Sequence, residues 1–139
     1  MKYGSVIIEK KEYVFLKRIL NISGYAADFE IQKSFKRLNE ELKTAIIVDE
    51  EEMPTDVIRF NSQVLISTKN GWKKEFQIVS PALKDVKADK ISILTVMGAA
   101  LFGYAQGDTV EWEFPTGKNL ITIEKVAQVE SERKLEMVK

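Results

Sequence analysis

The sequence predicts an α+β protein: a short N-terminal antiparallel helical hairpin, then an antiparallel sheet domain carrying one short helix. Three observations point there. Apolar residues in the N-terminal part recur at helical spacing, from Asp56 onward they recur every second residue, and Pro54 stands between the two patterns within an acidic run.

Tyr13, Leu16 and Leu20 form a short apolar stripe, which predicts a first helix over about 9–20. Ile31, Phe35, Leu38, Leu42 and Ala45 follow at steps of four and three, with charged residues between them, and predict a second helix over about 28–48. In the link between them, Gly24 suits the end of one helix and Asp28 the cap of the next. Two apolar stripes so close in sequence need each other for burial, hence a hairpin. Pro54 and the acids Asp49 to Glu52 stop the second helix and favour solvation, so a boundary is expected near 51–53.

Beyond it, Val64 and Ile66, then Phe76 and Ile78, alternate with polar residues around Asn70-Gly71, a strong hairpin signal. Ile91 and Ile93 repeat the pattern, as do Val110, Trp112 and Phe114. A last strand is expected over about 120–129. The chain thus divides into a hairpin (1–51), a sheet domain (52–130) and a polar tail (131–139).

Composition removes several functions. There is no cysteine and no histidine, which excludes disulfides, thiolate nucleophiles, Cys/His zinc sites and histidine-based triads. Basic and acidic residues number 21 each, and neither side of Met53 carries the basic excess of a strong nucleic-acid binder. Lys73 and Lys74 beside Trp72, with Lys84, Lys87 and Lys90, read as solvated faces rather than a phosphate track. No signal peptide is evident and no apolar run is long enough to span a bilayer, so a cytoplasmic protein without membrane contact is expected.

The most particular stretch runs from Ile91 to Gly103: a strand, a turn, a helix of small residues and a glycine stop, followed by Gly107-Asp108 and Pro115-Thr116-Gly117. Glu52 to Ser62 adds a second motif in the same order. Together these resemble the C-terminal domain of the bacterial transcript-cleavage (Gre) factors, and most closely the related regulator of nucleoside diphosphate kinase (Rnk) family. The likeness covers about 52–129 well and 5–50 in outline.

The resemblance implies an FKBP-like C-terminal fold, an N-terminal coiled-coil hairpin, and docking at the rim of the RNA polymerase secondary channel. It places docking on Leu94, Thr95, Val96, Met97 and Gly98. Gre factors carry an acid, a serine and a proline at the first three of these places, where this chain has Leu94, Thr95 and Val96. On residue type alone, Met97, Leu101 and Phe102 suit a core, Gly98 to Ala100 a close approach to a strand, and Gly103 a helix end.

Gre factors also carry two acids on the hairpin tip that help hold a metal ion, since carboxylates suit Mg²⁺. The corresponding tip residues are Ser23, Gly24 and Tyr25, with Asp28 and Glu30 just after, and they do not reproduce that motif. Asp28 reads as a helix cap and Glu30 as a first-turn charge. The expected arms, ~18 Å and ~30 Å at ~1.5 Å per residue, also give a short reach, limited by the shorter one. Asp49 to Glu52 lie at the far end of the second helix and offer no metal site.

The expectation is a non-catalytic transcription regulator that binds RNA polymerase and competes with Gre-type factors. It would meet DNA only within the polymerase complex and use no cofactor, metal or small-molecule substrate. Two alternatives stand beside it: a cleavage stimulator using Asp28 and Glu30, and a peptidyl-prolyl isomerase using Trp72, Phe76, Trp112 and Phe114.

Overall fold

A computed structural model describes residues 1–23, 29–114 and 117–129. The element order is β1 (Ile7–Glu9), α1 (Lys10–Ser23), α2 (Phe29–Lys43), β2 (Ile46–Val48), β3 (Gln63–Thr68), β4 (Lys73–Val79), β5 (Lys90–Ser92), α3 (Val96–Leu101), β6 (Thr109–Phe114) and β7 (Gly117–Ala127). The architecture is mixed helix and sheet, as the change of period predicts.

The five expected strands form one sheet in the order β5-β4-β3-β7-β6. It is not wholly antiparallel. β5 runs parallel to β4, pairing Ile78 with Ile91. The chain leaves β4, passes through two 3-10 turns at Pro81–Leu83 and Val86–Ala88, and re-enters in the same direction. Alternation in a sequence reports which face is buried and carries no information on strand direction. The Asn70-Gly71 signal is met: Thr68 N donates to Trp72 O at 2.9 Å and Gly71 N to Thr68 O at 3.0 Å, closing the β3–β4 hairpin.

The helices differ from expectation at both ends. α1 runs on to Ser23, and α2 stops at Lys43 rather than near Val48. Ile46–Val48 instead pairs in parallel with Ile7–Glu9 as a separate two-stranded sheet. Three consecutive β-branched residues favour that exchange, but only the presence of β1 alongside makes it available.

Helices and sheet share one core. Leu16, Ile19 and Leu20 of α1 and Phe35, Leu38 and Leu42 of α2 cluster with Phe60, Ile66, Ile78, Leu101, Phe102 and Ile123. The Phe60 ring stands between Phe15 at 5.1 Å and Phe102 at 4.9 Å, tilted against each, so an aromatic file joins α1 to the segment after α3. Gly103 shows why the small helix must end in glycine. Its φ is +85°, and a Cβ there would lie 2.8 Å from the Cβ of Val6, which leads into β1.

Candidate functional site

The segment expected to dock lies between β5 and α3 and is built almost entirely by backbone capping. Ile93 anchors it by donating its N–H to Val79 O at 2.8 Å, with its side chain fully buried. Ser92 then organises the turn. Its hydroxyl accepts from Leu94 N at 3.0 Å, and its carbonyl accepts from Thr95 N at 3.0 Å and from the Thr95 hydroxyl at 2.7 Å. Thr95 is the N-cap of α3, its Oγ1 accepting from Gly98 N at 3.0 Å.

Gly98 is required by space. A Cβ on it would sit 2.5 Å from Ser92 O and 3.1 Å from the Ile93 Cα. Leu94, Val96 and Met97 are half-buried, each with one side on the core and the rest facing outward. Leu101 and Phe102 are fully buried, as their spacing predicts. The result is a rigid, uncharged knuckle. Its one hydroxyl, on Thr95, is spent on the Ser92 carbonyl and the Gly98 N–H.

At the hairpin tip, Gly24, Tyr25 and Asp28 lie outside the described residues. Ser23 closes α1 and Glu30 falls in the first turn of α2. The arms are of near-equal length, 14 and 15 residues, about 21 and 22 Å at ~1.5 Å per residue. The expected limitation by one short arm does not hold.

Among the described residues, polar junctions join both hairpin helices to the sheet domain. At the first, the Arg59 guanidinium is buried, only 4% exposed, among three carboxylates. Its Nε donates to Glu12, whose side chain is also buried, and its two terminal nitrogens donate to Glu50 at 2.7 and 2.9 Å. Glu9 lies 3.9 Å away. Glu12 accepts in addition from Phe60 N at 3.0 Å. Burial by itself would lower the Arg59 pKa, but the bonds to Glu50 and Glu12 outweigh it and raise it.

At the second junction, Tyr104 OH donates to Glu41 at 3.2 Å, Arg37 Nε donates to the same oxygen at 3.3 Å, and Arg37 also donates to the Glu111 carbonyl at 3.1 Å. The other Glu41 oxygen is buried without a partner. Burial pushes this carboxyl up, and the Arg37 charge and Tyr104 hydroxyl only partly oppose it.

Residue-by-residue pattern reading missed both junctions, although one signal was present. Glu12 stands four residues before Leu16 on the apolar stripe, and Arg59 interrupts the apolar run Val57-Ile58-Arg59-Phe60. An acid and a base, each placed where a core residue belongs, imply a buried pair. Glu50 is thereby drawn from the acidic run into a structural role. Among the described residues no cluster of acids is arranged to hold a metal ion. No helix among them is long and apolar enough to cross a membrane. Of the aromatic set offered for an isomerase pocket, Phe76 is buried in the core and Trp72 is exposed. Nothing is described for the side chains of Trp112 and Phe114.

Known proteins are consistent with this architecture. A family model described as transcription elongation factor, GreA/GreB, C-terminal, matches residues 53–128. The regulator of nucleoside diphosphate kinase of Escherichia coli (strain K12) is 37% identical over 81 residues, covering 58% of this chain and 60% of that protein. The match thus spans less than two thirds of that relative's length. GreA of Rhodopseudomonas palustris (strain TIE-1) is 34% identical over 110 residues, covering 76% of this chain and 70% of that one. Among solved structures, a prokaryotic GreA/GreB elongation factor from Nitrosomonas europaea superposes with a TM-score of 0.71 at 31% identity, covering 90% of this chain and 99% of that one. On these grounds the chain belongs to the GreA/GreB family of transcription elongation factors.

Proposed function

We propose that this protein is a non-catalytic transcription regulator that docks on RNA polymerase near the rim of the secondary channel. The observation that carries the reading is the Leu94–Gly98 knuckle: half-exposed, uncharged, and held rigid from both sides by Ser92, Thr95 and the buried helix behind it. A surface that is already ordered loses little entropy on binding. Residues 52–130, read as an FKBP-like domain, carry the docking surface, and residues 1–51 form the hairpin that the docked domain aims. The tail, 131–139, has no role in the proposal.

The mechanism is occupancy. Arms of only about 21–22 Å, at ~1.5 Å per residue, suit a plug near the channel mouth that excludes a Gre-type factor. The protein works in the cytoplasm on polymerase, meets DNA only through that complex, and uses no cofactor of its own. The second reading, transcript cleavage stimulated through Asp28 and Glu30, draws its support from relatives that are named transcription elongation factors.

One experiment separates the two. The protein is added to a stalled elongation complex, and polymerase capture and transcript length are both read. Binding without shortening, lost in Thr95→Asp and in Met97→Asp with the fold intact, is the expected result. Transcript shortening abolished by Asp28→Asn with Glu30→Gln would replace the first reading by the second. Capture that survives both aspartate variants would move the docking surface elsewhere.

A further inference from the structure

The sheet's inner face runs out of cover at one end, and it does so on three neighbouring strands at once. On β3, Val64 and Ile66 are fully buried but Thr68 is only half-buried. On β4, Phe76 is buried while Lys74 and Trp72, on the same face, are exposed. On β7, Ile123 and Ile121 are buried while Asn119 is exposed. Thr68 pairs with Ile121, so the β3–β4 turn and the first residues of β7 lie at this same end.

Here Trp72, 48% exposed, lines a shallow concavity of about 230 Å³ with Thr68, Asn70 and Asn119. The indole is presented by a fixed turn. Trp72 O accepts from Thr68 N at 2.9 Å, and Trp72 N donates to the Asn70 side-chain Oδ1 at 3.3 Å. Four exposed lysines lie at this end: Lys69 in the turn, Lys74 on the same face of β4 as Trp72, and Lys73 and Lys118 on the opposite face. Lys74 pairs with Asp89 at 2.9 Å and Lys118 with Glu111 at 3.6 Å, both at the surface. Exposed pairs of this kind are worth little and exchange readily for other anions.

We infer that this end of the sheet is a binding surface for single-stranded nucleic acid, with one base stacked on Trp72 and the neighbouring phosphates against Lys69 and Lys74. A rigid exposed aromatic beside exposed cations is the arrangement that holds unstacked bases without strict sequence preference. The Asn119 amide, with one donor group and one acceptor, fits a base edge. A duplex offers no free base face to the indole, and an acidic peptide would use the lysines alone. The surface shares no residue with Leu94–Gly98 and goes beyond the docking proposal. With only a few phosphates engaged, binding is weak in isolation and gains effect when a partner holds the strand nearby.

The test uses the purified full chain without polymerase, so its outcome is independent of the docking reading. Fluorescence anisotropy follows a labelled single-stranded RNA or DNA dodecamer, a duplex of the same length, and displacement by poly-L-glutamate. The expected result is saturable, salt-sensitive binding of the single strand, weaker binding of the duplex, and poor displacement by polyglutamate. Trp72→Ala should weaken it about five- to a hundredfold, with Trp72→Phe keeping much of the affinity. Lys69→Gln with Lys74→Gln should flatten the dependence on salt. Absence of binding at low salt, affinity unchanged in Trp72→Ala, equal affinity for the duplex, or equal displacement by polyglutamate would each overturn the inference.

Discussion

The Arg59 junction and the Leu94–Gly98 knuckle are both held in place by hydrogen bonds, but with opposite chemistry. Around Arg59 the side chains themselves are spent: a buried guanidinium ties β1, the first turn of α1 and the 3-10 turn at Glu50–Glu52 to the strand region that precedes β3. Around Gly98 the holding is done by backbone groups and two small hydroxyls, which leaves Leu94, Val96 and Met97 free to face outward. Buried charge orients one part of the molecule against another, because an unpaired ion has nowhere else to go. Neutral capping builds a stiff surface whose side chains remain available.

The most severe way to break the first region is Arg59→Ala, which leaves Glu12 buried without its cation. A loss of about 3–5 kcal/mol is expected in urea unfolding, whereas Arg59→Met with Glu12→Leu should recover much of it. If the single variant costs under about 1 kcal/mol, the junction does not hold the hairpin. The second region should break more gently. Gly98→Ala forces a Cβ against Ser92 O, and a loss of about 1–3 kcal/mol is expected, with polymerase capture falling further than stability does.

Thr95→Ala removes the cap of α3 and should cost about 1 kcal/mol in the same assay, while Thr95→Ser should be near neutral. A loss equal in both variants would show that the methyl group, not the hydroxyl, matters.

The smallest effects are pH-dependent and have opposite signs at two sites. Burial lifts the Glu41 carboxyl, so the folded state takes up its proton before the unfolded chain does. Its contribution is present at low pH and lost as pH rises from the usual carboxylate value through the raised one. Glu41→Gln should flatten that slope. At Asp56, burial would push the carboxyl up, but hydrogen bonds from Lys2 and Tyr3 outweigh it and hold it below the usual range. Its contribution is present at neutral pH and lost as pH falls through the lowered value. Stability titrated from strongly acidic pH, below the usual carboxylate value, up to neutral pH in Glu41→Gln and Asp56→Asn checks both signs.

Much of this was legible in the residues. The five strands, the Asn70-Gly71 turn, the core positions Leu16, Phe35, Leu38 and Leu42, and the glycine stop at Gly103 all follow from period, propensity or turn chemistry. The knuckle was legible as a place, through its order of small and apolar residues, and the family followed from the same order. Asp108 illustrates the remainder. As half of Gly107-Asp108 it reads as a turn residue, yet its carboxylate accepts from Lys2 N at 2.6 Å and Ala105 N at 2.9 Å, tying the first residues of the chain to the entry of β6. No local pattern announces a bond across more than a hundred residues.

The sequence by itself determined most of the apolar core positions and most of the helices, strands and turns, because burial period and backbone preference are properties of neighbours along the chain. Only the tertiary structure decided that Ile46–Val48 leaves its helix to pair with Ile7–Glu9, that β5 joins β4 in parallel, and that Arg59 finds Glu12 and Glu50. Each of these depends on which strand edge or buried charge arrives alongside, and that is settled by packing rather than by spacing.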